Sequence, residues 1–401
     1  MKILILCNKL PYPPKDGGSI ATLSLAEGMA GHGNEITILA LNTSKHYFPP
    51  EEIPDKLTNL IRFTGVKVKT DLSVWKALKN LIFSKYPYNA ERFFSKDYTQ
   101  ALSQVLENGT FDIVQIEGLY MGYYIPVIRK YSDAKISLRA HNIEHEIWKR
   151  TAELTNNVFK KWYLKLLSRR IKKMKLQLIN TYDFLIPITE RDAGTYKILG
   201  NKKPVHVTPC GISMEKDNSS RKNVEYPSVF HIGALDWIPN QEGIIWFINK
   251  VWRQIHEQHP SLRFYIAGRN APEQFAQQLH HPGVIFKGEV ENAGEFIRSK
   301  AIMIVLLFSG SGMRIKIIEA MAAGKTIITT SIGTEGINST PGKNILIADN
   351  PEDFIKELNK VLTNPSIFDE IGKNAVKFVR EQFDADSISA SLEEFYKKNK
   401  T

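Results

Sequence analysis

The sequence has little cysteine and no long apolar run. Its two cysteines, Cys7 and Cys210, cannot build a disulfide framework or a cysteine zinc site. The longest apolar run, Ala301–Phe308, is far shorter than the roughly 20 residues of a membrane-spanning helix. Polar residues follow Lys2–Cys7 at once, without a small-residue cleavage site, so this run predicts a strand and not a secretory signal. We therefore expect a cytoplasmic protein.

Extreme composition is also missing. Glycine (25) and proline (19) are not enriched among the 401 residues, 43% are hydrophobic and 24% are charged. This balance is typical of globular proteins and excludes collagenous or largely disordered chains. At about 150 residues per domain, the length predicts two to three domains.

Acidic residues are scarce in one half of the chain only. Residues 1–210 have a net charge of +12, whereas residues 211–401 have a net charge of −1. The basic half could attract nucleic acid, an anionic membrane or a phosphorylated substrate, and charge alone does not select among them. Nucleic acid is not expected, because no recognition helix or RNP-type motif accompanies the charge.

Apolar runs alternate with helical patterns along residues 1–212. A Pro/Gly-rich loop follows the first run and leads into a helix that Ser19 is expected to cap. Strands that alternate with helices predict a parallel, doubly wound sheet. The predicted strands of this region are Lys2–Cys7, Glu35–Leu41, Asp112–Ile116, Lys135–Leu138 and Asp183–Ile188.

The same alternation restarts after a polar segment, residues 213–227, which we interpret as a linker. Residues 228–384 then form a second α/β domain, and we expect 385–401 to form a helix that can return to the first. The fold class is thus α/β, with two Rossmann-like, doubly wound parallel-sheet domains facing a central cleft. Ligands of such sheets bind at the C-terminal strand ends. The strands predicted for the second domain are Val229–Ile232, Phe264–Ala267, Val284–Lys287, Ile302–Phe308 and Thr326–Thr329.

The most informative segment is Phe308–Gly324, where an apolar strand leads through a Gly/Ser turn into a helix. Gly312 lets the backbone approach a ligand, and the N–H groups of the helix N-terminus can bind a phosphate. Arg314 and Lys316 oppose the helix dipole unless an anion binds there. Glu319 could accept hydrogen bonds from sugar hydroxyls. The alternative is a glycine loop with solvated side chains.

Gly310–Gly324, continued by Thr329–Gly336, resembles the donor-binding signature of the retaining glycosyltransferases of family 4, the group 1 glycosyltransferases, which have the GT-B fold. The resemblance extends to Phe230–Asn240, Phe286–Val290 and Pro14–Gly18. It covers nearly the whole chain in the expected order.

The resemblance assigns roles at the helix. Glu319 matches the second glutamate of the paired-glutamate motif, which binds the ribose of the nucleotide. The first glutamate would fall at Ser311, so the sequence departs from the pattern there. Arg314 and Lys316 take the place of an Arg–Lys pair that many members have elsewhere, and would contact the diphosphate. No metal and no cofactor are implied, since the nucleotide sugar is a substrate.

The resemblance also implies site residues in other loops. Gly233 lies in the first loop of the second domain, and Gly288 and Val290 match the loop that meets the nucleobase. Gly17 and Gly18 match the loop under the diphosphate, although a plain strand-to-helix turn is an alternative.

His141 follows a predicted strand end and resembles the histidine that family members direct at the donor sugar. Imidazole can form a hydrogen bond with a sugar hydroxyl or move a proton near neutral pH. The alternative is a structural histidine that caps the strand.

The segment Phe159–Leu178 has the pattern of a basic amphipathic helix. Eight Lys/Arg residues occur from Phe159 to Gln177, and no acidic residue interrupts the chain from Leu154 to Tyr182. Such helices bind anionic membrane surfaces, and the alternative is a core-packed helix with a solvated face. The aromatic-rich segment Leu72–Tyr98 is a second candidate for lipid or acceptor contact.

Together these features predict a glycosyltransferase that moves a sugar from a nucleoside diphosphate donor to a hydroxyl acceptor with retention. The acceptor would be a glycan or lipid-linked intermediate of cell-surface polysaccharide or lipopolysaccharide synthesis. The protein would be cytoplasmic and peripheral at the inner face of the membrane. A nucleotide-sugar epimerase of the same fold and a catalytically inert GT-B binding subunit are the alternatives.

Overall fold

The structure, a computed structural model, describes residues 1–71, 73–213, 224–308 and 312–400. The described chain divides into two compact units. The N-terminal unit contains Met1–Gly211 and Ala385–Thr401, and the C-terminal unit contains Ile212–Asp384. Each unit is built around one parallel sheet.

The N-terminal unit has six described strands in the order β3-β2-β1-β4-β5-β6. Ile, Leu and Val fill β1, which is buried on both faces between β2 and β4, so its apolar run is continuous. The strands are β1 (Lys2–Cys7), β2 (Glu35–Thr43), β3 (Ile61–Val68), β4 (Ile113–Glu117), β5 (Lys135–Ala140) and β6 (Phe184–Pro187).

Helices cover both faces of this sheet. They are α1 (Gly17–Gly31), α2 (Asp55–Thr58), α3 (Val74–Phe83), α4 (Tyr88–Glu91), α5 (Lys96–Glu107), α6 (Ile125–Tyr131), α7 (Glu144–Leu154), α8 (Val158–Leu178) and α9 (Glu190–Ile198). The short 3-10 helices are Ser44–His46, Pro50–Glu52 and Leu119–Tyr124.

The C-terminal unit repeats this topology, with the described strand order β12-β11-β10-β7-β8-β9. The strands are β7 (Glu225–Ile232), β8 (Phe264–Ala267), β9 (Val284–Gly288), β10 (Lys300–Val305), β11 (Thr326–Thr329) and β12 (Leu346–Ile347). The helices are α10 (Ile238–Phe247), which continues through a π-helical turn (Ile248–Trp252) into α11 (Arg253–Gln258), then α12 (Glu273–Gln277), α13 (Ala293–Ser299), α14 (Ile315–Ala322), α15 (Pro351–Thr363) and α16 (Pro365–Gln382).

Three sequence expectations need correction. Asp16, and not Ser19, is the N-cap of α1, and its carboxylate accepts the backbone N–H of Ser19 at 3.1 Å. The strand β7 begins at Glu225, inside the predicted linker 213–227; residues 214–223 of that linker lie outside the described residues. The strand β3 was missed because it lies at the sheet edge, half-exposed, without a continuous apolar run.

The last helix, α17 (Ala385–Asn399), belongs to the N-terminal unit and packs on α1. The contact is close: a Cβ on Gly28 would lie 2.1 Å from Ser389 Oγ and 2.7 Å from its Cβ. His32 at the end of α1 contacts Asp386 and Glu393 of α17, at 2.9 and 3.2 Å. The close packing of α17 on α1 therefore requires glycine at Gly28.

We expect Gly28→Ala to lower the free energy of unfolding of the N-terminal unit by about 1–3 kcal/mol, because the new methyl group overpacks the α1–α17 contact. Urea denaturation of the full chain measures this. Gly31→Ala is the matched control, since a Cβ there has no neighbour within 4 Å. Ser389→Gly combined with Gly28→Ala should recover stability; equal effects of Gly28→Ala and Gly31→Ala would contradict this packing.

Candidate functional site

The strand order of the N-terminal unit creates a crevice between β1 and β4. After β1 the chain continues to β2 on one side of the sheet, and after β4 it continues to β5 on the other side. Ligands of doubly wound sheets bind at this switch point. A cavity of about 210 Å³ lies there, lined by Asn8 and Lys9 after β1, Gly18 of α1, and Glu117 and His141 at the ends of β4 and β5. Gly17 is the first residue of α1 and is exposed beside it.

A buried carboxylate, Glu117, organises this cavity. His141 Nε2 lies 2.6 Å from Glu117 Oε2, and Thr22 Oγ1 donates to the same oxygen at 2.9 Å. Gln115 Nε2 donates to the other carboxylate oxygen at 2.5 Å. Glu117 thus contacts three polar side chains, which come from α1, from β4 and from the residue after β5.

Arg139 supplies the compensating charge. Its guanidinium is fully buried, with Nη1 3.7 Å from Glu117 Oε2 and 3.0 Å from the carbonyl oxygen of Ala21, to which it donates. Burial by itself would raise the pKa of Glu117, but Arg139 and the hydrogen bonds from His141 and Gln115 outweigh it and lower that pKa to about 2. Glu117 is therefore ionised at neutral pH.

The ionised Glu117 fixes the ring of His141. A carboxylate only accepts, so the His141 nitrogen facing it, Nε2, carries the proton, and the neutral ring has Nδ1 as an acceptor. Gly118, between Glu117 and the helical turn that follows it, lies in the left-handed region at φ 85°, which favours glycine; a Cβ there would make only an ordinary contact of 3.9 Å with His141 Cδ2. His141 keeps 18% of its side chain exposed at the cavity. The ring therefore has a fixed orientation and is partly open to the cavity.

The loop after His141 is held by Lys175 of the basic helix α8. Lys175 is fully buried, pairs with Glu144 at 2.9 Å and donates to the carbonyl oxygen of Asn142 at 3.4 Å. Its ammonium also lies 4.5 Å from the centre of the Tyr196 ring. Sequence reasoning placed this lysine among solvated or lipid-facing cations, because the pairing depends on a fold that brings α7, α8 and α9 together.

The N-terminus of α1 carries a second ion pair. Lys9 contacts Asp16, the cap residue, inside the cavity wall. Burial opposes ionisation of Asp16, but the charge and hydrogen bond of Lys9 and the N–H of Ser19 lower its pKa overall. A Cβ on Gly18 would meet only Asp16 Oδ1, at 3.5 Å, an ordinary contact. The fold itself does not require glycine at Gly18.

In the C-terminal unit the equivalent switch point lies between β7 and β10. Gly233 follows β7, and the segment that leads from β10 into α14 brings Gly312, at φ 88°, and Arg314 to the same sheet edge. Arg314 is the N-cap of α14 and donates from Nη1 to the carbonyl oxygen of Gly312. Ser311 lies outside the described residues.

Lys316 and Glu319 follow on α14. Burial raises the pKa of Glu319 and lowers the pKa of Lys316, while their mutual attraction opposes both shifts. Arg269, two residues beyond the end of β8, is close enough to lower the pKa of Lys316 further. Sequence reasoning missed Arg269, although a cation just after a buried strand was a usable signal.

Gly233 is required by its surroundings. A Cβ there would lie 2.8 Å from Asn240 Nδ2 and 3.1 Å from His231 Nε2. The buried His231 donates from Nδ1 to the carbonyl oxygen of Ile304 at 3.0 Å, and burial lowers its pKa to about 4, so the ring is neutral at pH 7. Gly233 thus fits closely between β7 and α10.

Gly288 ends β9 at φ 65°, and its carbonyl oxygen accepts the N–H of Gly268 at 2.8 Å. Val290 is half-buried against the apolar cluster around Phe230. The predicted site residues therefore fall into two groups, with Gly17, Gly18 and His141 in the N-terminal unit and the others in the C-terminal unit. Within the described ranges, no group of three or more His, Cys, Asp or Glu residues is placed to hold a metal ion.

Comparison with solved structures identifies the architecture. Sucrose-phosphate synthase from Thermosynechococcus elongatus aligns over 99% of both chains with a TM-score of 0.71 and 14% identity. Anabaena HepE, solved in complex with UDP and glucose, aligns over 98% of this chain and 99% of its own with a TM-score of 0.69 and 12% identity. The chain has the GT-B fold, as the sequence predicted.

Sequence comparison finds similarity both for the C-terminal unit and for the whole chain. Residues 226–364, most of the C-terminal unit, match the family model described as glycosyl transferases group 1. Over 98% of its own length and 98% of that relative, the chain is 25% identical to an uncharacterised 44.6 kDa protein in the cps region of Klebsiella pneumoniae.

The Glu117 network predicts an acid-sensitive N-terminal unit. Because the pKa of Glu117 is about 2 in the folded state and 4.5 is its ordinary value, its contribution to stability is complete above about pH 4.5 and is lost as the pH falls toward 2. We expect Glu117→Gln to cost about 3–5 kcal/mol at pH 7, since Arg139 is left as an uncompensated buried charge, and to flatten the loss of stability between pH 4.5 and 2.

Urea unfolding midpoints at several pH values measure both effects. Glu107→Gln, at an exposed position of α5 in the same unit, is the matched control. An acid dependence of Glu117→Gln as steep as that of the wild type would contradict the depressed pKa.

Proposed function

We propose that the protein transfers a sugar from a nucleoside diphosphate donor to a hydroxyl acceptor, with retention at the anomeric carbon. The observation that carries this proposal is the start of α14, where Arg314, Lys316 and Glu319 lie near the switch point. Arg269 adds a further positive charge, which lowers the pKa of Lys316. A diphosphate would compensate the cations, which otherwise oppose the helix dipole. The match of residues 226–364 to group 1 glycosyl transferases and the structural likeness to HepE support this proposal.

In this proposal each residue of the C-terminal unit has a role. Arg314 and Lys316 neutralise the negative charge that grows on the leaving diphosphate as its bond to the sugar breaks. Glu319 accepts hydrogen bonds from the ribose hydroxyls, and its buried position makes that contact strong. The backbone around Gly233, Gly312, Gly288 and Val290 would contact the diphosphate, sugar and base. No metal is needed for these contacts.

His141 would act on the donor sugar from the N-terminal unit. With Nε2 held by Glu117, its ring is fixed in orientation and can accept a hydrogen bond from a sugar hydroxyl through Nδ1. Gly17 and Gly18 leave room for the donor or acceptor beside the start of α1. Since Gly18 is not demanded by packing, space for a ligand is a sufficient reason for glycine there.

The acceptor would be a glycan or a lipid-linked intermediate of cell-surface polysaccharide synthesis. The Klebsiella relative, described as a protein of a cps region, supports a polysaccharide role. The strongly basic character of residues 1–210 supports an anionic acceptor or an anionic membrane as a partner.

A panel of UDP-, GDP-, ADP- and CDP-sugars tests the activity. Release of the nucleoside diphosphate, together with transfer of the sugar to an added hydroxyl acceptor, supports a transferase. An α-linked product from an α-linked donor shows that the transfer proceeds with retention. Conversion of the donor into its epimer indicates an epimerase, and binding without turnover indicates an inert subunit; either result would overturn the proposal.

Two substitutions at α14 should produce different binding patterns. Glu319→Ala should weaken binding of the nucleoside and its diphosphate alike by about 10- to 150-fold, because both lose a charge-assisted hydrogen bond of about 1.5–3 kcal/mol. Arg314→Gln with Lys316→Gln should weaken the diphosphate at least about tenfold and leave the nucleoside nearly unchanged. Calorimetric titration, with the nucleotide that most raises the Tm of the wild type, measures both.

Glu370→Ala, an exposed position of α16, is the control for the loss of a carboxylate in this unit. Unchanged affinity in Glu319→Ala would remove Glu319 from the site. Equal losses for nucleoside and diphosphate in the double variant would mean that the two cations are not diphosphate ligands.

The basic helix α8 leaves only part of itself for a membrane. Its apolar stripe is buried, because Leu164, Leu167 and Ile171 pack with Leu119 and Ala152. Arg170 donates to the carbonyl oxygens of Asn80 and Leu81. The first turns remain available: Val158, Phe159 and Trp162 are exposed, Phe159 at 85%. Among the described residues, no helix has the length and apolar character needed to cross a bilayer.

We therefore expect reversible attachment to anionic vesicles through the start and outer face of α8. Each lysine near the surface contributes about 1 kcal/mol, and salt screens that attraction. Lys160, Lys165 and Lys173 changed to Gln should reduce co-sedimentation with phosphatidylglycerol vesicles at low salt. The control changes the exposed Lys250, Lys373 and Lys377 of the C-terminal unit to Gln. Equal binding by the two triple variants would contradict a role for α8.

A further inference from the structure

A second and larger cavity lies beside α3 in the N-terminal unit. Its volume is about 640 Å³, and none of its lining residues belongs to the cavity around Glu117 and His141. Its walls come from the loop before α3, from α3 itself and from the segment that leads through α4. Most of its lining residues belong to the aromatic-rich segment Leu72–Tyr98, and none has a role in the transfer reaction proposed above.

The cavity is strongly cationic. Lys69, Lys76, Lys79, Lys85 and Arg92 line it, against two acidic residues. Both acids already have partners within the protein: Asp71 accepts from Ser44 Oγ at 2.8 Å, and Glu91 accepts from Asn80 Nδ2.

One residue in the wall of the cavity, Arg92, has a buried hydrogen-bond donor. Arg92 Nε is buried and has no hydrogen-bond partner among the described residues. Its guanidinium also lies 5.2 Å from the centre of the Phe93 ring, within the range of a cation–π contact. A multiply charged anion fits this surplus of donors and charge.

One face of the helix α3 lines this cavity, and the adjoining face is exposed to solvent. Lys76, Lys79 and Phe83 line the cavity at a spacing of three and four residues. The adjoining row, Trp75, Leu78 and Ile82, is exposed, with Trp75 at 82% and Ile82 at 72%. An exposed apolar patch of this kind is typical of a site that binds an apolar ligand or partner.

The helix is held firmly at both ends. Tyr88 Oη accepts the backbone N–H of Ser73, the N-cap of α3, at 3.0 Å. At the other end, Asn80 is buried and donates to the carbonyl oxygen of Tyr86 at 3.1 Å, while Arg170 of α8 donates to the carbonyl oxygen of Leu81 at 2.7 Å. The cationic row and the apolar row therefore keep a fixed relation.

We propose that this cavity binds the diphosphate headgroup of a lipid, while the exposed row Trp75–Leu78–Ile82 contacts its hydrocarbon chain. A ligand that is highly anionic at one end and apolar at the other satisfies both faces of α3 at once. The proposal deepens the proposed function, on which it rests, because it names a lipid diphosphate as the acceptor class. The five cations favour a diphosphate over the single charge of a phosphodiester lipid.

Farnesyl diphosphate is a suitable probe, since it carries both groups, and inorganic pyrophosphate carries the charge alone. By calorimetric titration of the full chain below the micellar range, we expect farnesyl diphosphate to bind at least about tenfold more tightly than pyrophosphate. Lys79→Gln with Lys85→Gln should weaken both probes about tenfold. Leu78→Ser with Ile82→Ser should weaken farnesyl diphosphate only, to nearly the affinity of pyrophosphate.

Matched controls are available. Lys250→Gln with Lys373→Gln removes two exposed charges elsewhere, and Ile198→Ser removes an isoleucine that is 87% exposed at the end of α9. Neither control should change the affinity for farnesyl diphosphate.

Equal affinity for the two probes would overturn the proposal in favour of a soluble anion site, and so would indifference of farnesyl diphosphate to both variant pairs. Nucleotide binding in the C-terminal unit, titrated on the same samples, reports separately on the proposed function. If nucleotides fail to bind while farnesyl diphosphate binds as expected, the transferase assignment falls and the lipid site remains.

Discussion

The buried ion pair between Glu117 and Arg139 is the interaction on which the arrangement of the N-terminal unit depends. Neither charge reaches solvent to any extent, and each would be costly to bury alone. The carboxylate also orients His141 and binds Thr22 of α1. Through Gln115 the same network reaches Tyr396 of α17, whose hydroxyl donates to Gln115 Oε1 at 2.8 Å and accepts from Ser137. One carboxylate thus links the candidate catalytic histidine, the helix that borders its cavity and the end of the chain.

The two units have the same strand topology but opposite electrostatic centres. At the switch point of the N-terminal unit the central group is an anion, Glu117, compensated by protein cations and donors. At that of the C-terminal unit the cations Arg314 and Lys316 lie at a helix start, with Glu319 on the same helix. The first centre is thus an anion held by protein donors, whereas the second is a pair of cations at a helix start.

Several sequence expectations held because they depended on local pattern. The GT-B fold was predicted and is confirmed, and buried strands such as Phe264–Ala267 and Thr326–Thr329 have the predicted limits. Expectations that depended on partners fared differently. Ser19 was expected to cap α1, but Asp16 does so because Lys9 and the N–H of Ser19 hold its carboxylate there. The apolar stripe of α8 was open to lipid or core, and packing with α7 decided for the core. The roles of His141, Glu319 and the glycines remain predictions.

The sequence by itself determined the alternation of strands and helices, the repeated α/β topology and the glycine-bordered start of α14, because these follow from side-chain volume, hydrophobic spacing and backbone freedom along a short stretch. Tertiary structure decided which charges meet. Glu117, Arg139 and Gln115 carry no recognisable motif, and Lys175 reads as one more lysine of a basic helix until Glu144 is placed 2.9 Å from it. The energy of a buried charge depends on neighbours that are distant in the chain and on the exclusion of water. Only the folded structure specifies both.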